Sequence, residues 1–283
     1  MILDPFLYVA LGTGYLVGRL VGRRAPWVGR AALASVFVLL VFLGGTLAAS
    51  PPESLLLAIP LAVLLVSLVL GITVALVVFL PRRLGRPSRP RLQIPIYVPL
   101  YLVALVAGYA LGRFVMLPYG SWLTWALYAL LFFVAWDLVL SWTSLRRLAV
   151  PLAAAAGGAV IGGVVFALII PVDPRVAFAS ALGFGWYSLA GPLVGARFGA
   201  AAGLIAFLSN FLREDLTMVL APVVGPWEGP EAVTAMGGAT TMDTTLFFVT
   251  TYGDPDAGSL ALASGLILTL SASILIPVIL ALP

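Results

Sequence analysis

LLLAIPLAVLLVSLVLGITVALVVFL, residues 55–80, contains no charged side chain. A helix needs about 20 apolar residues to cross the hydrocarbon core of a bilayer, so this stretch predicts a membrane-spanning helix. Residues 152–170 have the same apolar character. The two runs together indicate an integral membrane protein built from helices.

The overall composition leads to the same conclusion. The 283 residues are 62% hydrophobic and 9% charged, with a mean hydropathy of +1.15, whereas a soluble domain is usually about 25% charged. The chain has no cysteine and no histidine, which excludes disulfides, thiol nucleophiles, imidazole bases and the usual zinc sites. We therefore expect neither a metal nor a cofactor.

Ten apolar segments can be drawn between turn-forming Pro, Gly and Asp residues. They cover about 3–20, 31–49, 55–80, 94–116, 121–143, 149–170, 176–196, 199–224, 232–252 and 258–282. The prediction is an all-α polytopic membrane protein with one transmembrane domain, 1–283. Within it, 1–170 is interpreted as a helical scaffold and 171–283 as the region of the site.

The basic residues predict the orientation of the segments. All 15 are arginine, and their net excess over acids is +4. Most of them follow the first, third and fifth segments: Arg19, Arg23, Arg24, Arg30, Arg82, Arg83, Arg86, Arg89, Arg91, Arg146 and Arg147. Because cytoplasmic loops are rich in Lys and Arg, both termini are predicted outside. The arginines are interpreted as topology signals, with no nucleic acid as partner.

A weak internal similarity suggests an inverted repeat. Residues 39–47 resemble residues 130–138, three segments later, so the two copies would cross the membrane in opposite directions. Inverted repeats are common in transporters. Chance similarity in a leucine-rich chain is the alternative.

From about residue 180, polar residues enter segments that should be lipid-soluble. The first such stretch is GFGWYSLAGP, residues 183–192. Its glycines and proline predict a broken helix, and such breaks often form substrate sites in transporters. The alternative is a close-packed crossing of helices through small residues.

The second stretch is SNFLREDLT, residues 209–217. On a helix, Asn210, Glu214 and Thr217 share one polar stripe. Charges at mid-membrane are costly and usually functional. Arg213 is expected to pair with Asp215 or to lie near the interface. The alternative is two short helices with residues 213–215 in a loop.

The third stretch is GGATTMDTT, residues 237–245. Paired glycines and four threonines predict an unwound segment that lines a polar cavity, with Asp243 as an intramembrane carboxylate. The alternative places Asp243 in a surface loop. Asp137 is a further buried-looking acid, although it could instead lie near the cytoplasmic interface.

Two intramembrane carboxylates suit the transport of a cation. A substrate ammonium can neutralise one carboxylate while the other carries a proton. Trp186 or Tyr187 could add a cation–π face, and the N-termini of half-helices could bind a substrate carboxylate.

These three stretches resemble the LysO family of lysine exporters. The same blocks occur there in the same order, with nearly the same gap between Glu214 and Asp243. The resemblance is specific over about 180–250, and upstream it is one of hydropathy. This chain has Ser209-Asn210 where the family is expected to have Asn-Asp, so one family acid is missing.

The resemblance implies a multi-pass exporter of L-lysine and analogues such as thialysine in the prokaryotic inner membrane, working by proton antiport. It implies about eight full crossings plus re-entrant segments, with Glu214 and Asp243 as the acidic pair. The substrate-binding residues expected around that pair are Gly183, Trp186, Tyr187, Ser188, Asn210, Thr240 and Thr241. Partners are then the basic amino acid, protons and the bilayer, with a homo-oligomer left open.

Two other functions remain in competition at this point. One is a sodium-coupled or uncoupled carrier of another amino acid or organic cation. The other is an intramembrane enzyme, which is disfavoured because the chain lacks histidine and the Gly-x-Gly-Asp motif of membrane aspartyl proteases.

Overall fold

The structure is a computed structural model that describes residues 5–21, 26–48, 52–79, 97–136 and 147–283. Every regular element in this part of the chain is helical, which confirms the all-α class. The helices are α1 (Pro5–Val21), α2 (Pro26–Leu47), α3 (Pro52–Phe79), α4 (Tyr97–Phe114), α5 (Tyr119–Trp136), α6 (Ala149–Ile169), α7 (Pro174–Ala181), α8 (Tyr187–Phe198), α9 (Ala200–Glu228), α10 (Pro230–Gly237), a 3-10 helix (Gly238–Met242), α11 (Leu246–Tyr252) and α12 (Ala257–Ala281).

Four of these helices are long and apolar enough to cross a membrane. Their apolar cores are Trp27–Thr46, Leu56–Phe79, Ala149–Ile169 and Ala257–Ala281. The chain is therefore a multi-pass membrane protein. The total of about eight crossings stays a prediction, although eight of the described helices have 17 residues or more.

The helices form two compact units. Unit 1 contains α1, α2, α4 and α5, and unit 2 contains α3 and α6–α12. The sequence-based division at residue 170 separates α3 and α6 from α7–α12, whereas in the structure these helices pack in one unit. The reason is that α3 packs against both α6 and α9.

Unit 1 is held by glycine contacts that occur in pairs. A Cβ added to Gly14 of α1 would meet the backbone of Phe132 of α5, and one added to Gly108 of α4 would meet the backbone of Val41 of α2. The same kind of contact recurs one helical turn later in each pair. Small residues allow membrane helices to approach this closely.

The sequence around these glycines repeats. Residues 14–19 read GYLVGR and residues 108–113 read GYALGR, a similarity that the sequence analysis missed. Helix α1 packs against α5, α4 packs against α2, and α2 packs against α5. Helices α1 and α2 therefore have the same contacts as α4 and α5, as expected for an inverted repeat. The repeat itself stays a prediction.

Unit 2 contains a first helical hairpin, formed by α7, its break and α8, and called hairpin 1 here. The guanidinium of Arg175, at the start of α7, lies 5.0 Å from the ring centroid of Phe198, at the end of α8. The two ends of the segment therefore lie side by side, so the segment enters and returns. Asp173 caps α7 by accepting from the backbone N of Arg175 at 2.8 Å, and the Arg175 side chain lowers the pKa of Asp173 by hydrogen bonding.

A second helical hairpin, hairpin 2, consists of α10, the 3-10 helix and α11. That both hairpins are re-entrant in the membrane stays a prediction. Arg147, just before α6, donates to Glu231 at the start of α10 and to Asp254 just after α11, both at 2.6 Å. Burial works to lower the pKa of Arg147, but the two carboxylates outweigh it and raise that pKa. One arginine thus holds both ends of hairpin 2 together.

The two hairpins enter unit 2 from opposite ends. Helix α9 starts two residues after Phe198 and ends two residues before Pro230, so its 29 residues connect the end of hairpin 1 to the start of hairpin 2. Helix α12 runs back, and the carbonyl of Leu282 at its far end accepts from Arg175 at 2.7 Å. At 1.5 Å per residue, the 25 residues of α12 span about 38 Å.

Candidate transport site at the hairpin tips

Hairpin 1 turns at residues 182–186, as the glycine-rich stretch predicted. Phe184 and Gly185 have positive φ values of 52° and 98°, so the chain reverses over two left-handed residues. Tyr187 begins α8 immediately after the turn. The prediction of a broken helix is therefore confirmed.

The amide of Asn210 fastens this turn to α9. Its Oδ1 accepts from Gly185 N at 2.8 Å, and its Nδ2 donates to Ser180 O at 2.8 Å and to Ala206 O at 2.9 Å. Gly183 packs directly on the same amide, with no room for a Cβ. Both residues were expected to bind substrate. In the structure Asn210 hydrogen-bonds the backbone of hairpin 1, and Gly183 packs against the Asn210 amide.

We predict that Asn210→Leu destabilises the protein more than Asn210→Asp does. Leucine leaves Gly185 N and Ser180 O buried without a partner, at about 1–3 kcal/mol for each group, whereas aspartate keeps the acceptor. The check is the midpoint of thermal inactivation in detergent. Equal midpoints for the two variants would show that the hydrogen bonds of Asn210 do not hold the turn.

Hairpin 2 unwinds where the Gly-Thr stretch predicted. Helix α10 ends at Gly237, the 3-10 helix follows, and Asp243 has non-helical backbone angles of φ −134° and ψ −102° before α11 begins. The tips of the two hairpins touch, since Ala239 N donates to the carbonyl of Phe184 at 2.8 Å.

The guanidinium of Arg213 caps the last turn of α10. Its Nε donates to Met236 O at 2.8 Å and its Nη2 to Ala235 O at 3.0 Å. Arg213 is only 2% exposed, and the described residues offer it no ion pair. The expected pairing with Asp215 is not found among the described residues, because the orphan carbonyls at the end of α10 take the donors of Arg213 instead. The alternative, that Arg213 lies near the membrane interface, stays a prediction.

The alternative with residues 213–215 in a loop is also wrong, because α9 is continuous from Ala200 to Glu228. Glu214 lies at the middle of its length. Leu212 and Leu216, on either side of Glu214 in the chain, pack on one apolar cluster that contains Val66 and Met236.

The threonines of hairpin 2 form hydrogen bonds with its unwound backbone and with α12, and the polar cavity that they were expected to line stays a prediction. Thr240 Oγ1 donates to Gly237 O at 3.0 Å and lies 3.1 Å from Thr245 Oγ1. Thr241 Oγ1 lies at donor distance from both Gly238 O, 2.8 Å, and Ala261 O, 2.9 Å. Hydroxyls thus replace the hydrogen bonds that a regular helix would make.

Three carboxylates gather beside the tips. Glu214 and Asp215 are buried, at 2% and 5% exposed, and Asp243 is half-buried. Glu214 lies close enough to the other two for their charges to interact, and the charges of all three also act on Tyr187. Asp215, which was expected to pair with Arg213, therefore belongs to the same cluster.

The carboxylates differ in how they are solvated. Asp243 Oδ1 accepts from Thr244 N at 2.6 Å and from Thr244 Oγ1 at 3.2 Å. Glu214 Oε1 and both oxygens of Asp215 are buried without a hydrogen-bond partner among the described residues. Buried ionised oxygens need a partner cation or a proton, so this cluster is suited to bind either.

Two aromatic residues beside the turn of hairpin 1, Trp186 and Tyr187, were expected to contribute a cation–π contact. The ring of Tyr187 packs edge-on against Phe207 and Phe211, with centroids 5.2 and 5.9 Å apart. Trp186 instead contacts the apolar core around α7 and α12. Of the two predicted aromatic contacts, Tyr187 is the one near the carboxylates. Ser188 lies in the first turn of α8, and Asp137 lies outside the described residues.

Comparison with protein families identifies the architecture. A family model described as lysine exporter LysO matches residues 102–280, more than half of the chain. The chain belongs to the LysO family of lysine exporters. No individually curated protein and no solved structure gives a significant match.

The LysO match confirms the resemblance seen in the sequence and extends it. It starts at residue 102, within α4, whereas the sequence motifs were specific only over about 180–250. Both hairpins, α9 and α12 fall inside the matched region almost entirely. Membership supports transport of lysine across a membrane as the activity of the fold.

Proposed function

We propose that this LysO-family protein exports L-lysine and close basic analogues such as thialysine across the prokaryotic cytoplasmic membrane in exchange for protons. The observation that carries the proposal is that Glu214 Oε1 and both oxygens of Asp215 are buried without a hydrogen-bond partner among the described residues, next to Asp243, where the tips of the two hairpins meet.

The carboxylates give a physical basis for exchange. An ionised carboxylate in a low-dielectric interior is strongly unfavourable unless a cation or a proton neutralises it. The ε-ammonium of lysine and a proton therefore compete for Glu214 and Asp243. When lysine leaves, a proton takes its place, and the two fluxes are coupled in opposite directions.

The hairpins give a basis for alternating access. Hairpin 1 enters from the end that holds Arg175 and hairpin 2 from the end that holds Arg147. Retraction of either tip would open the cluster toward its own end of unit 2. Broken segments that meet at mid-membrane are the usual place of substrate sites in transporters.

The arginine distribution orients this cycle. Arg147 follows the fifth predicted segment, on the arginine-rich side, which we assign to the cytoplasm. Hairpin 2 then forms the cytoplasmic gate and hairpin 1 the external gate, with the N- and C-termini outside.

The test uses purified protein in liposomes loaded with L-lysine and a trapped pH-sensitive dye. An outward lysine gradient should acidify the lumen, and thialysine should do the same, in sodium-free buffer as well as with sodium. Liposomes without protein are the control. Loss of labelled lysine that requires sodium and leaves the lumen pH unchanged would contradict proton exchange and favour a sodium-coupled carrier.

A further inference from the structure

One nitrogen of the Arg213 guanidinium makes no hydrogen bond within the described part of the chain. Nε and Nη2 are used by the end of α10, but Nη1 is buried and has no hydrogen-bond partner among the described residues. The positive group lies 5.7 Å from the centroid of the Phe184 ring. Nη1 carries two N–H donors, and leaving them unpaired in a dry interior is unfavourable.

The free donor and the free acceptors do not satisfy one another. Nη1 of Arg213, Oε1 of Glu214 and the oxygens of Asp215 belong to three consecutive residues of α9, yet none of them has a hydrogen-bond partner among the described residues. Successive residues on a helix point about 100° apart, so the three side chains leave α9 in different directions. This part of α9 thus presents one unpaired positive donor and several unpaired carboxylate oxygens that do not pair with it.

An α-amino acid has the complementary arrangement of charges. Its carboxylate can accept from a guanidinium in a strong charge-assisted hydrogen bond, and its ammonium groups can bind carboxylates. A basic amino acid with one carboxylate and two ammonium groups would satisfy the spare donor and two of the acids at once.

We propose that Arg213 binds the α-carboxylate of the transported amino acid through Nη1, while the acidic cluster binds its ammonium groups. The inference rests on the proposed export of basic amino acids and names how the site selects an amino acid over a simple diamine. It replaces the N-termini of half-helices as the expected carboxylate-binding groups.

The position of Arg213 links this binding to the hairpins. The same guanidinium caps α10 of hairpin 2, and an added Cβ on Gly238 would lie 3.1 Å from its Nη2 and 2.5 Å from the Phe184 carbonyl of hairpin 1. A substrate carboxylate bound to Nη1 would therefore lie near the contact between the two tips, so its binding would affect the position of both hairpins.

The test compares three substrates that share the ε-ammonium: L-lysine, L-lysinamide and 1,5-diaminopentane. Only lysine carries the carboxylate. We expect the wild-type protein in liposomes to transport lysine about 10- to 100-fold more efficiently than either analogue, the range expected for a lost charge-assisted hydrogen bond. Equal transport of lysine and lysinamide would overturn the assignment while leaving lysine export intact.

Variants locate the selectivity. Arg213→Gln should reduce the ratio of lysine to lysinamide transport to near one, and Arg213→Lys should retain part of it. The ratio is measured within one preparation, so a lower yield of folded protein does not alter it. Arg197→Gln, the same change at the exposed end of α8, should keep the wild-type ratio. Arg213→Gln lacks Nη1, so a wild-type ratio of lysine to lysinamide transport in that variant would assign the carboxylate to another group.

Discussion

Glu214→Gln should abolish lysine-driven proton movement, with a reduction of at least about 30-fold. Glutamine has nearly the shape of glutamate, so α9 and its packing should survive, but the amide neither carries a proton nor neutralises an ammonium. Removing one partner of a buried ion pair costs about 2–5 kcal/mol, which corresponds to a factor of about 30 to several thousand. The measurement is the acidification of lysine-loaded liposomes.

Asp243→Asn should have the same effect by the same mechanism. The asparagine oxygen can still accept from Thr244 N, the 2.6 Å bond that fixes the wild-type side chain, so the unwound segment should keep its shape. The control is Glu228→Gln, which makes the same change as Glu214→Gln but at the C-terminal end of α9. This variant should transport lysine normally. Undiminished proton movement in Glu214→Gln would remove that carboxylate from the coupling mechanism.

Gly238→Ala should destabilise the protein by about 2–5 kcal/mol and stop transport. Gly238 has φ +66°, a left-handed conformation that costs other residues about 1–2 kcal/mol. An added Cβ would also lie 2.5 Å from the Phe184 carbonyl, which accepts the bond that joins the hairpin tips. Overpacking of this kind typically costs a further 1–3 kcal/mol, roughly.

The measurement for Gly238→Ala is the midpoint of thermal inactivation in detergent, followed by lysine transport in liposomes. Gly71→Ala in α3 is the matched control, because no atom lies within 4 Å of its added Cβ. Alanine in a helix is favoured over glycine by about 1 kcal/mol, so this control should be at least as stable as the wild type. Equal midpoints for the two variants would show that the tips do not need close contact.

The sequence predicted where the helices break because glycine, proline and threonine have local effects. Gly183 and Gly185 interrupt the helix of the first segment. Gly237-Gly238 and the four threonines that follow interrupt the helix of the second segment. Glycine and threonine have low intrinsic helix propensity, so clusters of them favour an interruption of the helix. The direction of the chain after each break is not a local property, and the sequence alone could not show that both segments turn back.

The roles of the polar side chains depended on contacts between distant parts of the chain. Asn210 was expected to bind substrate but caps a turn 25 residues away, and Arg213 was expected beside Asp215 but caps a helix end 23 residues away. Both partners are backbone groups, and a sequence does not show which of them lack a hydrogen bond until the helices are packed.

By itself, the sequence determined that this protein is helical and lies in a membrane, that two of its segments are interrupted, and that it belongs with lysine exporters. Apolar length, glycine content and the blocks around Glu214 and Asp243 are sufficient for these conclusions because each depends only on neighbouring residues. Only the tertiary structure decided that the interrupted segments enter from opposite ends and meet at their tips. That arrangement is set by the ion pairs of Arg147 with Glu231 and Asp254, by the contact of Arg175 with the Phe198 ring and by the Phe184–Ala239 hydrogen bond, all of which join residues far apart in the chain.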